Sequence, residues 1–166
     1  MSQEILKPTS KQCEMLSSKA HELLWYGSRA GGKSFATYFA PLYYIHHKDF
    51  TGLILRTSSI SQMKDSSSVD KHKGKNLSLI IFEELSQLPS EELYEKLLAT
   101  LRSANPEITP QMIATTNPDG AGARWVYDRW DIGNEEKTDK VWYTENGTTR
   151  HAIKSGVIDN PYIMEN

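Results

Sequence analysis

Cysteine is almost missing from this sequence: one residue of 166, Cys13, carries a thiol. A single thiol excludes an internal disulfide and suits a reducing compartment. A basic surplus is missing too, since 19 Lys and Arg face 21 Asp and Glu for a formal net charge of -2. The composition therefore carries no electrostatic signature of nucleic-acid binding, and a DNA partner has to be argued from something else. No apolar run reaches the roughly 18 residues that a membrane helix needs. The opening residues, MSQEILKPTSK, lack the apolar core of a secretory signal. No internal repeat is visible. What is there, 38% hydrophobic and 24% charged residues, is the composition of one soluble globular domain, with the cytosol as the expected compartment.

The chain alternates between two kinds of segment. Lys11 to Ala20 reads as a short helix, opened by Thr9 and Gln12 at capping-box spacing. Glu22 to Tyr26 is an apolar run that stops at Gly27, as a buried strand would. Ser34 to His47 has apolar residues near a 3.6 period, with Pro41 expected to kink the helix or end it early. Further strands are expected at Gly52 to Thr57, Leu77 to Phe82, Gln111 to Thr116 and Val141 to Thr144, the last clear candidate. Glu91 to Arg102 reads as an amphipathic helix with acidic residues in its first turn, and Ala123 to Trp130 as a second short one. Strands alternating with helices predict an α/β fold with a mainly parallel sheet flanked by helices. Ser58 to Asn76, a polar stretch of 19 residues, is long for a crossover, which suggests a shortened or missing piece there.

Between the first strand and the helix after it lies Gly27-Ser28-Arg29-Ala30-Gly31-Gly32-Lys33-Ser34, which fits G-x-x-x-x-G-K-[ST] at every fixed position. Glycines let the backbone wrap so that consecutive N–H groups point at phosphate oxygens, beside a helix N-terminus. In that arrangement Lys33 reaches the β- and γ-phosphates and the Ser34 hydroxyl ligates Mg²⁺. The bland alternative is a glycine-rich turn. Arg29 has two roles open to it, facing the γ-phosphate or facing solvent.

The third strand ends in two carboxylates, Glu83 and Glu84. Mg²⁺ keeps several waters and is often held by a carboxylate through one of them, which suits Glu83. Glu84 is then placed to act on the attacking water as general base. Alternatively, both are the polar start of the next loop. The fourth strand closes on Thr115-Thr116-Asn117-Pro118. Ligands of an open parallel sheet bind beyond the carboxyl ends of its strands, so Thr116 and Asn117 belong near a γ-phosphate. A simple Asn-Pro turn explains the same residues.

Taken together these motifs resemble the ATPase domain of tailed-phage terminase large subunits. KPTSKQ resembles that family's adenine-contacting motif, with Gln12 as the base reader, although a capping role alone also accounts for Gln12. GSRAGGKS resembles its Walker A, including an arginine at Arg29, and LIIFEEL its Walker B. ATTNPDGAGARWVYDRW resembles the coupling motif with its glycine loop and aromatic helix, placing Thr115, Thr116 and Asn117 in the coupling role. Asp159-Asn160-Pro161 resembles the close of the ATPase region.

The resemblance implies a P-loop NTPase fold of the additional-strand catalytic-glutamate class, spanning residues 1–166. It implies Mg²⁺-dependent ATP hydrolysis driving double-stranded DNA into a procapsid in the host cytoplasm. The partners it implies are DNA, a portal protein, a small terminase subunit and further copies of the chain in a ring, without a membrane. Glu84, Lys33 and Arg29 are the expected catalytic residues, residues 27–34 and Gln12 the nucleotide site, and Ser34 with Glu83 the Mg²⁺ site. Two departures stand out. Ser58 to Asn76 contains no arginine, where several branches carry one that acts on a neighbouring subunit. The family's C-terminal nuclease region has no counterpart, so nuclease activity is not expected from these residues. Either the polypeptide is truncated or the sequence leaves out parts of a longer one. Two rival readings stand beside the motor: a nucleotide-binding remnant that does not hydrolyse, or another P-loop enzyme such as a small helicase or kinase.

Other residues carry less. Arg102 and Arg124 are either trans-acting arginines or surface charges. His46 and His47 have no further ligands at metal spacing. Trp125, Tyr127 and Trp130 suit core packing better than stacking on bases.

Overall fold

The computed structural model describes residues 7–29, 32–56 and 74–164. Six strands form one sheet: β1 (Glu22–Gly27), β2 (Gly52–Leu55), β3 (Leu79–Phe82), β4 (Gln111–Thr116), β5 (Val141–Tyr143) and β6 (Thr149–Ser155). Their spatial order is β2-β3-β4-β1-β6-β5. Every neighbouring pair is parallel except β5 with β6. The expected α/β architecture with a mostly parallel sheet is therefore present, and β4 separates β1 from β3.

Alternation along the strands explains why the sheet is covered on both sides. Leu24 and Tyr26 of β1 join Ile80, Phe82, Met112 and Ala114 in one buried cluster. Leu23 and Trp25 join Leu79, Ile81 and Ile113 in the other. Successive strand residues point to opposite faces, so strands that are apolar throughout have both faces covered. Helices α3 (Glu91–Leu98) and α4 (Ala123–Trp130) cover the first face, through Leu93, Tyr94, Leu97, Val126 and Trp130. Helix α1 (Ser10–Ser17), helix α2 (Lys33–Thr37) and the 3₁₀ turn Ala40–Tyr44 cover the second, through Met15, Ala36 and Ala40. Trp130 is fully buried and the Trp125 indole donates to the Leu88 carbonyl, so these aromatics pack rather than face outward as base platforms.

Local chemistry sets the boundaries. Thr9 and Gln12 form the reciprocal capping box that opens α1. Ser90 caps α3 by accepting from the Glu92 N–H at 3.2 Å, with Glu91 and Glu92 in its first turn. Helix α2 stops at Thr37 and Pro41 falls inside the following 3₁₀ turn, an early end of the kind its fixed ring imposes. Apolar spacing predicts α3 as far as Arg102, whereas the helix ends at Leu98; Leu101 instead makes an isolated bridge to Leu77.

One strand is not apparent from the sequence. β6, Thr-Arg-His-Ala-Ile-Lys-Ser, pairs with β1 from Glu22↔Arg150 to Gly27↔Ser155. Its two cations hide its character, and one of them is satisfied inside the protein: Arg150 donates to the buried Glu22 carboxylate at 3.0 Å. Glu22 also accepts from Arg129 and from the Tyr94 hydroxyl, both at 2.8 Å. Burial would raise the Glu22 pKa, but the Arg129 hydrogen bond and charge, with Arg150 and Tyr94, outweigh it and hold the carboxyl below its ordinary value. Among the described residues no helix is long and apolar enough to cross a membrane. Most of the polar stretch from Ser58 to Asn76 lies outside the described residues.

Candidate functional site

The parallel register brings several strand ends level. Tyr26, one residue before the glycine loop, pairs with Thr116, and Phe82, one residue before the acidic pair, pairs with Ala114. The loop after β1, the carboxylates after β3 and the hydroxyls ending β4 therefore open at the same edge of the sheet. The loop, Glu84 and the β4 hydroxyls meet there in one cavity of about 490 Å³, lined by Arg29, Gly32, Lys33, Ser34, Glu84, Thr115, Thr116 and Asn117. Ala30 and Gly31 of the motif lie outside the described residues.

Glycine is required at the start of this loop. Gly27 has φ +126°, and a Cβ there would fall 1.9 Å from the Ser155 carbonyl oxygen on β6. Gly32, at φ +71°, sits at the N-cap of α2, and a Cβ there would press to 2.8 Å from the Gln12 amide nitrogen. Lys33 follows and is almost fully buried, at 8% exposure. Its ammonium donates back to the carbonyls of Ser28, at 2.5 Å, and Gly27, at 3.3 Å. Loss of hydration pulls its pKa down to about 8. A buried cation whose partners among the described residues are neutral carbonyls is a strong attractor for an anion.

Two polar atoms in this neighbourhood are buried without a hydrogen-bond partner among the described residues: the Ser28 hydroxyl and the Asn117 side-chain oxygen. Buried polar groups are normally paired, so such atoms fit a site whose partners arrive with a ligand. Arg29 is exposed and pairs with Asp119 at 2.8 Å while lining the cavity.

The two adjacent glutamates have different surroundings. Glu83 is buried, and its carboxylate accepts from Arg56 Nε at 3.0 Å. Arg56 also donates to the Tyr38 hydroxyl. Glu83 is not among the residues lining the cavity, whereas Glu84 is. Glu84 occupies the left-handed region at φ 57°, which for a non-glycine residue costs on the order of 1–3 kcal/mol and marks a position held by its surroundings. The Thr115 hydroxyl supplies one of those holds, accepting from the Glu84 N–H at 3.3 Å. Sequence reasoning missed Arg56. Register places it: Leu55 at the end of β2 pairs with Phe82, which sets Arg56 beside Glu83, and no local motif announces that pairing.

A second cavity, of about 420 Å³, adjoins the first through Gly32, which lines both. Its walls are mainly apolar, with Leu16, Phe35, Ala36 and Phe39 among them, and Gln12, Asn160 and Tyr162 also line it. Gln12 is held from both sides here. Its Oε1 accepts from the Thr9 N–H at 2.9 Å and its Nε2 donates to the Gly32 carbonyl at 3.4 Å, so the capping bond and a contact to the glycine loop coexist. The other arginines weighed are at the surface: Arg124 pairs with Asp128 one helical turn away, and Arg102 bonds Asn76.

Residues 58–166, from the polar stretch through the acidic pair and β4 to the end of the sequence, match the family model described as phage terminase large subunit. The glycine loop and Gln12 lie before the matched residues. No curated protein matches the chain.

Proposed function

The chain belongs to the phage terminase large subunit family, whose role is in phage DNA packaging, and from that premise we propose that it hydrolyses ATP to drive double-stranded DNA into a procapsid. The observation that carries this reading is the single cavity shared by Lys33, Ser34, Glu84 and Thr115 to Asn117, which come from three separate segments of the chain. In this reading the fold is a P-loop NTPase of the additional-strand class, supported by the intervening position of β4 between β1 and β3. Residues 1–166 form its ATPase domain.

Each residue then has a task. Lys33 and the backbone N–H groups of the loop hold the phosphates, and Arg29 leaves Asp119 for the terminal phosphate. Gln12, pinned between Thr9 and Gly32, reads the base edge. Glu84 takes the proton of the attacking water, from a backbone conformation that Thr115 helps to hold. Thr116 and Asn117, at the end of a wholly buried strand, sense the terminal phosphate and pass its loss to the rest of the sheet.

The donor set suits Mg²⁺, a hard cation that accepts a hydroxyl and a carboxylate and fills its remaining positions with water and phosphate. Ser34, on the cavity wall, would hold it directly, and Glu83, outside that lining and kept in place by Arg56, would hold it through a water. Bound there, Mg²⁺ would neutralise charge on the phosphates. DNA, a portal protein, a small terminase subunit and further copies of this chain complete the proposed assembly.

Phosphate release from Mg·ATP tests the reading, with the chain alone, with double-stranded DNA, and with Glu84→Gln. We expect turnover in the native chain and a loss of at least about 100-fold in the variant, with ADP affinity within a factor of about two. Undiminished turnover in Glu84→Gln would remove Glu84 from its role. Binding of ATP without any phosphate release would favour the non-hydrolysing remnant.

A further inference from the structure

The residues after β6 return to the start of the chain. Beyond the 3₁₀ turn Val157–Asp159, the short helix α5 (Pro161–Met164) brings Tyr162 against the N-terminal arm. The Tyr162 hydroxyl accepts from the Lys7 N–H at 3.0 Å and donates to the Lys7 carbonyl at 2.7 Å, joining segments 155 residues apart. Asp159 stiffens the approach by accepting from the Gly156 N–H at 2.6 Å. None of this is needed for the phosphate chemistry, and nothing in the sheet demands it. What it does is complete the wall of the apolar cavity beside Gly32.

We propose that the turn Asn160-Pro161-Tyr162 is part of the base-binding site, with Tyr162 closing the apolar cavity over a purine and Asn160 offering a second carboxamide beside Gln12. This rests on the nucleotide reading above. Continuity identifies the occupant: the cavity adjoins the phosphate cavity through Gly32, so a molecule with phosphates against Lys33 and a flat apolar end fills both. The volume of about 420 Å³ lies within the ordinary range of small-molecule sites. Phe35 and Phe39 supply aromatic surface, their rings 4.9 Å apart. The Asn160 side-chain nitrogen lies 3.8 Å from the point where a Cβ on Gly32 would stand, and the Gln12 amide nitrogen 2.8 Å from it. Two carboxamides at one edge of an apolar slot offer both donors and acceptors to the polar rim of a purine. Occupancy by the base then also fastens the turn to the N-terminal arm, so Tyr162, besides contacting the base, couples occupancy to the order of residues 157–164.

Calorimetry on the 166-residue chain with Mg·ADP and with Mg·tripolyphosphate, which has no base, separates the terms. Tyr162→Ala should weaken ADP binding by about tenfold, the loss expected from removing an aromatic contact to a base. Tripolyphosphate binding should stay unchanged. Tyr162→Phe keeps the ring and loses only the Lys7 bonds, and Asn160→Ala keeps both; each guards against a folding defect in the larger truncation. Hydrogen exchange across residues 157–164 should slow with ADP and not with tripolyphosphate. If Tyr162→Ala and Asn160→Ala leave ADP binding intact, or weaken both ligands alike, the proposal is wrong and the phosphate site stands. If the native chain binds neither ligand, the proposal falls together with the nucleotide reading.

Discussion

Raising the pH through the range in which Lys33 loses its proton should weaken nucleotide binding and strengthen the empty fold, two opposite signs from one side chain. The ammonium is buried against the Gly27 and Ser28 carbonyls, with no carboxylate among its hydrogen-bond partners in the described residues, and its pKa falls to about 8 from an ordinary 10.5. Phosphates would favour the charged form, so binding takes up a proton wherever the empty site has lost one. With a pKa near 8, about nine tenths of the chains carry the charge at pH 7 and about one tenth at pH 9. Affinity for Mg·ADP should therefore drop by about tenfold between those values, if the charged form alone binds well. Phosphate groups hold a nearly constant charge above pH 7.5, so the ligand does not confuse the upper half of that range. Stability runs the other way. Between 8 and 10.5 the unfolded chain holds the Lys33 proton and the folded chain does not, so unfolding free energy gains a positive slope with pH. Calorimetric titrations at pH 7, 8 and 9 on the native chain and Lys33→Arg, which stays charged, read the first effect. Urea denaturation of the native chain and Lys33→Met without nucleotide reads the second as a difference. An affinity that stays flat to pH 9.5, or a slope that Lys33→Arg shares, would refute the reasoning.

Two further expectations concern the frame around the site. Gly27→Ala should destabilise the chain by at least about 3 kcal/mol, because its Cβ would meet the Ser155 backbone oxygen at 1.9 Å from a φ of +126°. A melting scan should show Tm lower by roughly 6–12 °C, and a shift under about 2 °C would mean that the loop entry is not as tight as drawn. Glu22→Gln should cost about 3 kcal/mol near neutral pH, since Arg129 and Arg150 lose their buried counter-charge. The native carboxyl titrates below its ordinary 4.5, so its stabilisation is complete above that value and fades as pH falls through the lower folded one. Acid denaturation followed by circular dichroism should therefore be shallower below pH 4.5 in the variant, and matching acid limbs would discard the argument.

Much of this arrangement was legible because local chemistry and tertiary context agree. The capping box at Thr9 and Gln12, the strand Gln111–Thr116 and the helix Ala123–Trp130 fall where spacing puts them. What stayed hidden depends on partners far away in sequence. β6 looks polar until Glu22, 128 residues earlier, takes up Arg150. Arg56 looks like the end of an edge strand until the register lays it against Glu83. The reach of Tyr162 back to Lys7 leaves no periodicity to read. Strand polarity puts Thr116 and Asn117 beyond a carboxyl end of the sheet, and the level ends of β1, β3 and β4 bring Lys33, Glu84 and Asn117 to one cavity.

The acidic pair shows how the backbone turns a sequence pattern into two roles. Along an extended strand, successive side chains leave on opposite faces, so Glu83 and Glu84 could not both serve one site if β3 simply continued. The strand stops at Phe82 instead, and Glu84 turns into the left-handed region, where a two-residue alternation no longer applies. Glu83 stays buried against Arg56 while Glu84 reaches the cavity at the strand ends. The turn is held from β4, whose Thr115 hydroxyl takes the Glu84 N–H, and Thr116 and Asn117 come directly after it on the same segment. In the proposed mechanism the residue that moves the proton and the residues that feel the terminal phosphate thus share one support. A shift of β4 on loss of that phosphate would move Glu84 by the same hydrogen bond, which resets the site and transmits the event with a single displacement. If the proposed conversion of hydrolysis into movement of DNA holds, that link would rest on one hydroxyl, at Thr115.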